Sequence, residues 1–184
     1  MKKVLTSVLG VLIVIGGWLL YQYYSDSEAI KESVMAGDGY RSTIGEEYRA
    51  VKFFVMPNWY DLDTTKRQNV NKVVGQVGNS RIVLTEVAVR EDVNDIYFTF
   101  GIENKLSTKS GYFLTQNVAN NLADLPMPTI ELLTVDDKKI PLGHFGQGPD
   151  EYFSFGINLE DIDEIKHGFS VVANIYFGVQ YYKN

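Results

Sequence analysis

Residues 96–104 read IYFTFGIEN, and this stretch decides the fold class. Ile96, Phe98, Phe100 and Ile102 fall on one side of an extended chain, with Tyr97, Thr99 and Glu103 on the other. Alternation at a period of two marks a half-buried β-strand, because successive side chains of a strand point to opposite faces. Upstream lies the acidic turn REDVND (90–95), and before it residues 81–89 set Val83, Thr85, Val87 and Val89 against Ile82, Leu84 and Glu86. Residues 48–56, rich in aromatic and branched side chains, form an earlier strand closed by Pro57-Asn58. Downstream, a polar turn over 104–111 leads to a shorter strand at 112–114. Residues 129–135 and 139–142 then flank Asp136-Asp137-Lys138 as a hairpin. Phe153, Phe155, Ile157 and Leu159 alternate again, and Phe169, Val171, Ala173, Ile175, Phe177 and Val179 line one face of the last and longest strand. Seven or eight short strands divided by turn residues predict a mainly β fold, a β-sandwich. The alternative is α+β, an antiparallel sheet carrying one short helix.

Three stretches are less regular. Asp63 can cap a short helix beginning TTKR, and Val70, Val73, Val74 and Val77 have helical spacing, whereas Gly75 and Gly78 favour a strand over 73–77. The reading here is a helical turn followed by a strand. Residues 116–128, with their asparagines and two prolines, read as an irregular connection. Residues 160–167 read as an acidic turn from which Ile162 and Ile165 tuck inward.

The segments VVGQVGNSRIVLTEVAV, IYFTFGIENKLSTK with Asn104 after the strand, IELLTVDDKKIPL and GPDEYFSFGINLEDID together run from Val73 to about Gly178. In that run the chain resembles the immunoglobulin-like (telokin-like) domains of membrane-tethered proteins and lipoproteins of Gram-positive bacteria. It departs from them where Asn158-Leu159 replaces the usual Val-Pro, and residues 37–72 have no counterpart. The resemblance implies an extracytoplasmic binding or sensing module and transfers no catalytic residue.

Outward from this core, the chain begins MKKVLTSVLGVLIVIGGWLLYQYY. Residues 4–20 carry no charge, and as a helix they extend roughly 25 Å, or roughly 30 Å through Tyr24, enough to cross a hydrocarbon core. Lys2 and Lys3 precede the run while Asp26 and Glu28 follow it, so the positive-inside rule puts the N-terminus in the cytoplasm and the rest outside. Trp18, Tyr21, Tyr23 and Tyr24 fall at the outer headgroup level, where amphipathic rings are favoured. Cleavage as a signal peptide needs small residues just after the apolar run, and Tyr21-Gln22-Tyr23-Tyr24 stands there instead. The expected organisation is a transmembrane anchor over 1–24, a short polar helix or stalk over 25–39 ended by Gly37-Asp38-Gly39, and a β domain over 40–184.

Of the 17 basic residues in this 184-residue chain, two precede the apolar run, which leaves 15 against 23 acidic ones outside. That acidic excess argues against nucleic acid and against anionic phospholipid as partners, and is compatible with another extracytoplasmic protein. With no cysteine, neither a lipoprotein anchor nor a disulfide is available.

Catalytic constellations are thin. The two histidines, His144 and His167, fall short of the three or four N/S ligands of a zinc site. No serine stands in a G-x-S-x-G elbow. The acidic pairs Asp61/Asp63, Asp136-Asp137, Asp150-Glu151, Glu160-Asp161 and Asp163-Glu164 lack the glycine and spacing of a calcium loop and read as solvated turns. The expectation is a non-enzyme with no cofactor and no metal, the alternatives being a surface hydrolase using a carboxylate pair and a purely structural envelope component. Candidate partner-binding residues are His144 and Phe145, held between glycines in GHFGQGP (143–149), and Trp59 and Tyr60 after a proline turn. For Phe145, folding back as a core plug is an equal alternative. For Trp59-Tyr60, burial is the favoured one.

Overall fold

The computed structural model describes residues 15, 17–18, 26–62, 66–117 and 127–184. The chain is mainly β, with two antiparallel sheets. It divides into a smaller unit (1–43, 105–111, 180–184) and a larger one (44–104, 112–179). Ile15, Gly17 and Trp18 are helical, and the rest of the expected anchor, with Tyr21, Tyr23 and Tyr24, lies outside the described residues. Among the described residues no helix is long and apolar enough to cross a membrane.

In the larger unit, one sheet runs in the order β3 (Gln68–Val77), β4 (Ser80–Arg90), β5 (Asp95–Asn104), β10 (Phe153–Asn158), β9 (Phe145–Gln147). In the other, β11 (Phe169–Lys183) is paired by β2 (Arg49–Val55) and by β7 (Thr129–Leu133), and β8 (Lys139–Ile140) closes a hairpin on β7. The IYFTF strand is central: Phe98 and Phe100 are fully buried and sit opposite Phe155 and Phe153. Phe100 stacks on Phe153 at 4.9 Å and meets Phe53 of β2 at 5.3 Å, while Phe98 meets Phe169 of β11 edge-on at 5.1 Å. These rings from both sheets form the core of a sandwich-like pair of layers. Burying one such side chain contributes roughly 1.5–3 kcal/mol.

Two expectations change. The expected helical turn beginning TTKR, with its cap Asp63, falls on residues 63–65, outside the described residues, and the strand expected from residue 73 starts earlier, at Gln68. Its register shifts between Asn69 and Lys72 and again between Val73 and Gly75, with Asn71 at φ 51°. Each bulge adds a residue to one strand. The valines therefore acquire a spacing that imitates a helix. Residues 145–147 are strand rather than loop, since Phe145 pairs with Phe155 and Gln147 with Phe153 across a short Pro149–Glu151 turn.

The smaller unit contains helix α1 (Ser27–Ala36), β1 (Tyr40–Ile44) up to residue 43, the start of β6 (Ser110–Thr115) and the end of β11. Asp26 caps α1 by accepting the Glu28 N–H at 3.1 Å. Gly37, at φ 73°, ends it in the left-handed conformation that glycine adopts without a Cβ penalty. Ile30 and Val34 of the helix are buried, as are Tyr40, Leu106 and Tyr181.

Candidate functional site

The smaller unit carries a cleft of about 390 Å³. Its floor is Ile30 and Tyr40, its helical wall Ala29, Glu32 and Ser33, and its rim Asp38, Gly39, Thr108 and Lys183. The helix repeat produces that wall, because residues 29, 32 and 33 share one face of α1. The other side is held by three tyrosine-centred contacts. Tyr40 OH donates to the Thr108 carbonyl at 3.1 Å, and Tyr181 OH accepts from Ser107 N–H at 2.9 Å and donates to the Ser107 carbonyl at 2.7 Å. The Tyr40 and Tyr181 rings meet edge-on at 5.8 Å. Glu32 and Asp38 give the cleft two carboxylates, and Lys183 one ammonium on the rim. An apolar floor under opposed charges suits a basic side chain or a small zwitterionic group.

The four residues singled out in the sequence do not line this cleft. His144 is exposed, whereas Phe145 is half-buried and packs on the core of the larger unit. Trp59 ends the Pro57–Trp59 turn half-buried against the same core. Tyr60 is buried, its ring at 90° to Phe98 and its hydroxyl donating to the Ile165 carbonyl at 2.6 Å. That burial pushes the Tyr60 phenol well above its ordinary pKa. His144 is therefore the exposed member of the four, and Trp18 is also exposed.

Sequence reading missed two carboxylates. Asp95, assigned to a turn, begins β5 and is 1% exposed, gripped by Arg90. Glu151, assigned to a solvated acidic pair, is 2% exposed, adopts φ 64° and accepts a hydrogen bond from the Thr115 hydroxyl. A carboxylate one or two residues after an asparagine or a proline looks alike in sequence whether buried or not, so composition carried no signal. Asp95 faces Asn158 and Phe100 faces Phe153, two residues past Glu151. Five residues of strand set the level of Phe153, and so the turn that holds Glu151, about 17 Å along the sheet from Asp95, which does not suit a facing glycosidase pair. Among the described residues no three His, Asp or Glu side chains gather in a metal-binding group. Comparison with known protein families, with curated proteins and with solved structures finds no match.

Proposed function

We propose that the chain is a single-pass, membrane-anchored binding module, N-terminus inside, that displays an immunoglobulin-like β-sandwich outside the cytoplasm of a bacterial cell. Its partner is another extracytoplasmic protein, in an immunity role or an envelope complex. The observation that carries the reading is the cleft: it opens beside α1, which begins three residues after the apolar and aromatic run ends at Tyr24. A basic side chain of a partner has Glu32 and Asp38 to meet and Ile30 and Tyr40 to cover. A surface hydrolase is the weaker reading, because Asp95 and Glu151 stand at opposite ends of β5 and each already has a partner.

The absence of native cysteine makes the test direct. Asp92→Cys should react with a membrane-impermeant maleimide on intact cells, and Lys3→Cys only after lysis. Reaction of Asp92→Cys only after lysis overturns the topology. A photo-crosslinker at Ser33 should yield an adduct with an envelope protein, and one at Asp137 should not. No adduct from Ser33, with labelling at 92 intact, removes the cleft as the partner site.

A further inference from the structure

We infer that the cleft beside α1 takes a basic residue that also carries a free α-carboxylate, the C-terminal lysine or arginine of the partner chain, an inference that rests on the partner reading above. Three charged side chains line the cleft, Glu32, Asp38 and Lys183. Among the described residues none of the three makes an ion pair, with one another or elsewhere. Two carboxylates and one ammonium therefore face the same space of about 390 Å³ without neutralising each other. The other charged groups of the smaller unit lie outside the lining. Asp26 caps α1, Glu28 is paired with Lys31 at 3.4 Å, and Arg41, Lys105 and Lys109 do not contribute to the walls.

The backbone fixes where these charges stand. The Asp38 N–H donates to the Ser33 carbonyl at 2.8 Å, which folds Asp38 back against the end of α1. Gly39, at φ 71°, turns the chain into β1, and its carbonyl accepts the Asn184 N–H at 3.0 Å, so that Lys183 is held beside the same turn. The Lys183 N–H in turn donates to the Lys109 carbonyl at 2.7 Å. Walls set this way leave mainly side-chain entropy to be lost on binding.

The signs of these charges select the occupant. A cation is favoured at the end of α1, where the helix dipole is negative, two carboxylates stand near, and no basic residue occupies the last turn. A basic residue in mid-chain supplies that cation but brings nothing for Lys183, whose ammonium then meets a like charge. A C-terminal one carries its own carboxylate to Lys183. The four-carbon stem of lysine separates the two groups and lies on Ile30 and Tyr40, the kind of apolar surface that long basic side chains cover. An acidic or neutral occupant leaves both carboxylates unanswered.

The test uses the full chain in detergent micelles and three probes: Nα-acetyl-lysine, its methylamide, which has no carboxylate, and Nα-acetyl-norleucine, which has no ammonium. Amide chemical shifts of Ser33, Gly39 and Thr108 read binding. Nα-acetyl-lysine should bind at least about threefold more tightly than either of the others, within what one exposed ion pair contributes. Its advantage over the methylamide should vanish in Lys183→Ala, and Glu32→Gln/Asp38→Asn should bind neither lysine probe. Unchanged melting of the variants keeps their fold in evidence. Equal binding of the acid and the methylamide refutes the terminal carboxylate and leaves the partner's basic side chain standing. No shift with either lysine probe refutes both readings. Free lysine binding about tenfold more tightly than Nα-acetyl-lysine assigns the cleft to a free amino acid and overturns the partner terminus.

Discussion

Arg90 holds Asp95 by two prongs, Nε to Oδ1 at 2.8 Å and a terminal nitrogen to Oδ2 at 2.5 Å, and the same guanidinium lies 3.7 Å over the Tyr97 ring. The carboxylate is 1% exposed and the arginine side chain 30%. The hydrogen bonding to Asp95 is the main reason that the Arg90 pKa is raised. Gly156 lies against this pair, since a Cβ there would run into the Asp95 carboxylate.

Removing one partner of a buried pair strands the other, at a cost of roughly 3–5 kcal/mol in a fully buried case. Arg90 is partly exposed, so Arg90→Ala should cost about 2–4 kcal/mol, and Asp95→Asn rather less because an amide still accepts one bond. Gly156→Ala should destabilise through the same carboxylate. Urea unfolding of the three variants checks this, and a loss below about 0.5 kcal/mol for Arg90→Ala would place the pair among ordinary surface contacts.

Burial raises the phenol pKa of Tyr60, Tyr176 and Tyr181. In the unfolded chain tyrosines ionise near pH 10. Above that pH the unfolded state has given up protons that the folded state keeps, so it binds fewer, and stability falls as pH rises. Below it the contribution is constant. Melting temperature should be level from about pH 7 to 9 and drop beyond about pH 10, with phenolate absorbance reaching its full amplitude for the 12 tyrosines only as the chain unfolds. Full phenolate amplitude, all 12 tyrosines, with the fold intact near pH 10 would contradict the burial of these three groups.

Much of the fold was legible because its central strands obey a simple period. Phe98, Phe100, Phe153 and Phe155 face the core as the alternation of their segments predicts. The same rule misled where the backbone departs from it. In β4 a register shift between Leu84 and Glu86 leaves Thr85 as the extra residue, its hydroxyl bonded to the Thr99 carbonyl at 3.0 Å. Ile82 and Leu84 before the bulge, and Val87 after it, are buried. No single alternation could contain all three. The cleft was illegible for a different reason: its lining comes from stretches of chain about seventy residues apart, joined by tyrosine hydroxyls whose partners are backbone carbonyls. Backbone acceptors leave no mark in a sequence.

Tyr176 is fully buried, packs edge-on to Phe153 at 6.0 Å, and its hydroxyl lies beside the Gln116 side chain without a hydrogen bond of ordinary geometry. An unsatisfied buried hydroxyl costs about 1–3 kcal/mol. Tyr176→Phe keeps the ring and removes the cost, so it should be neutral or stabilising by up to about 1 kcal/mol. The alkaline drop in melting temperature should also become shallower. A clear loss of stability in this variant would mean that the hydroxyl is bonded after all.

Phe145 and His144 are neighbours with opposite surroundings, and melting of two variants separates what each does. Phe145 lies on β9 at the edge of the five-stranded sheet, in register with Phe155, half-buried and packed on the core. His144 is exposed, and its carbonyl accepts the Gly156 N–H at 2.8 Å, a bond that the side chain does not affect. Truncating a fully buried phenylalanine costs roughly 3–5 kcal/mol, and an ordinary surface change stays within about 0.5 kcal/mol. Half burial puts Phe145→Ala between them, at about 1–3 kcal/mol, while His144→Ala should leave stability unchanged. Because β9 is only three residues long, losing the ring should also free its amide protons to exchange, Gly146 first. If Phe145→Ala melts with the wild type and β9 keeps its protection, the ring is not held for the sheet, and its recognition role becomes the better account of why an aromatic stands between two glycines.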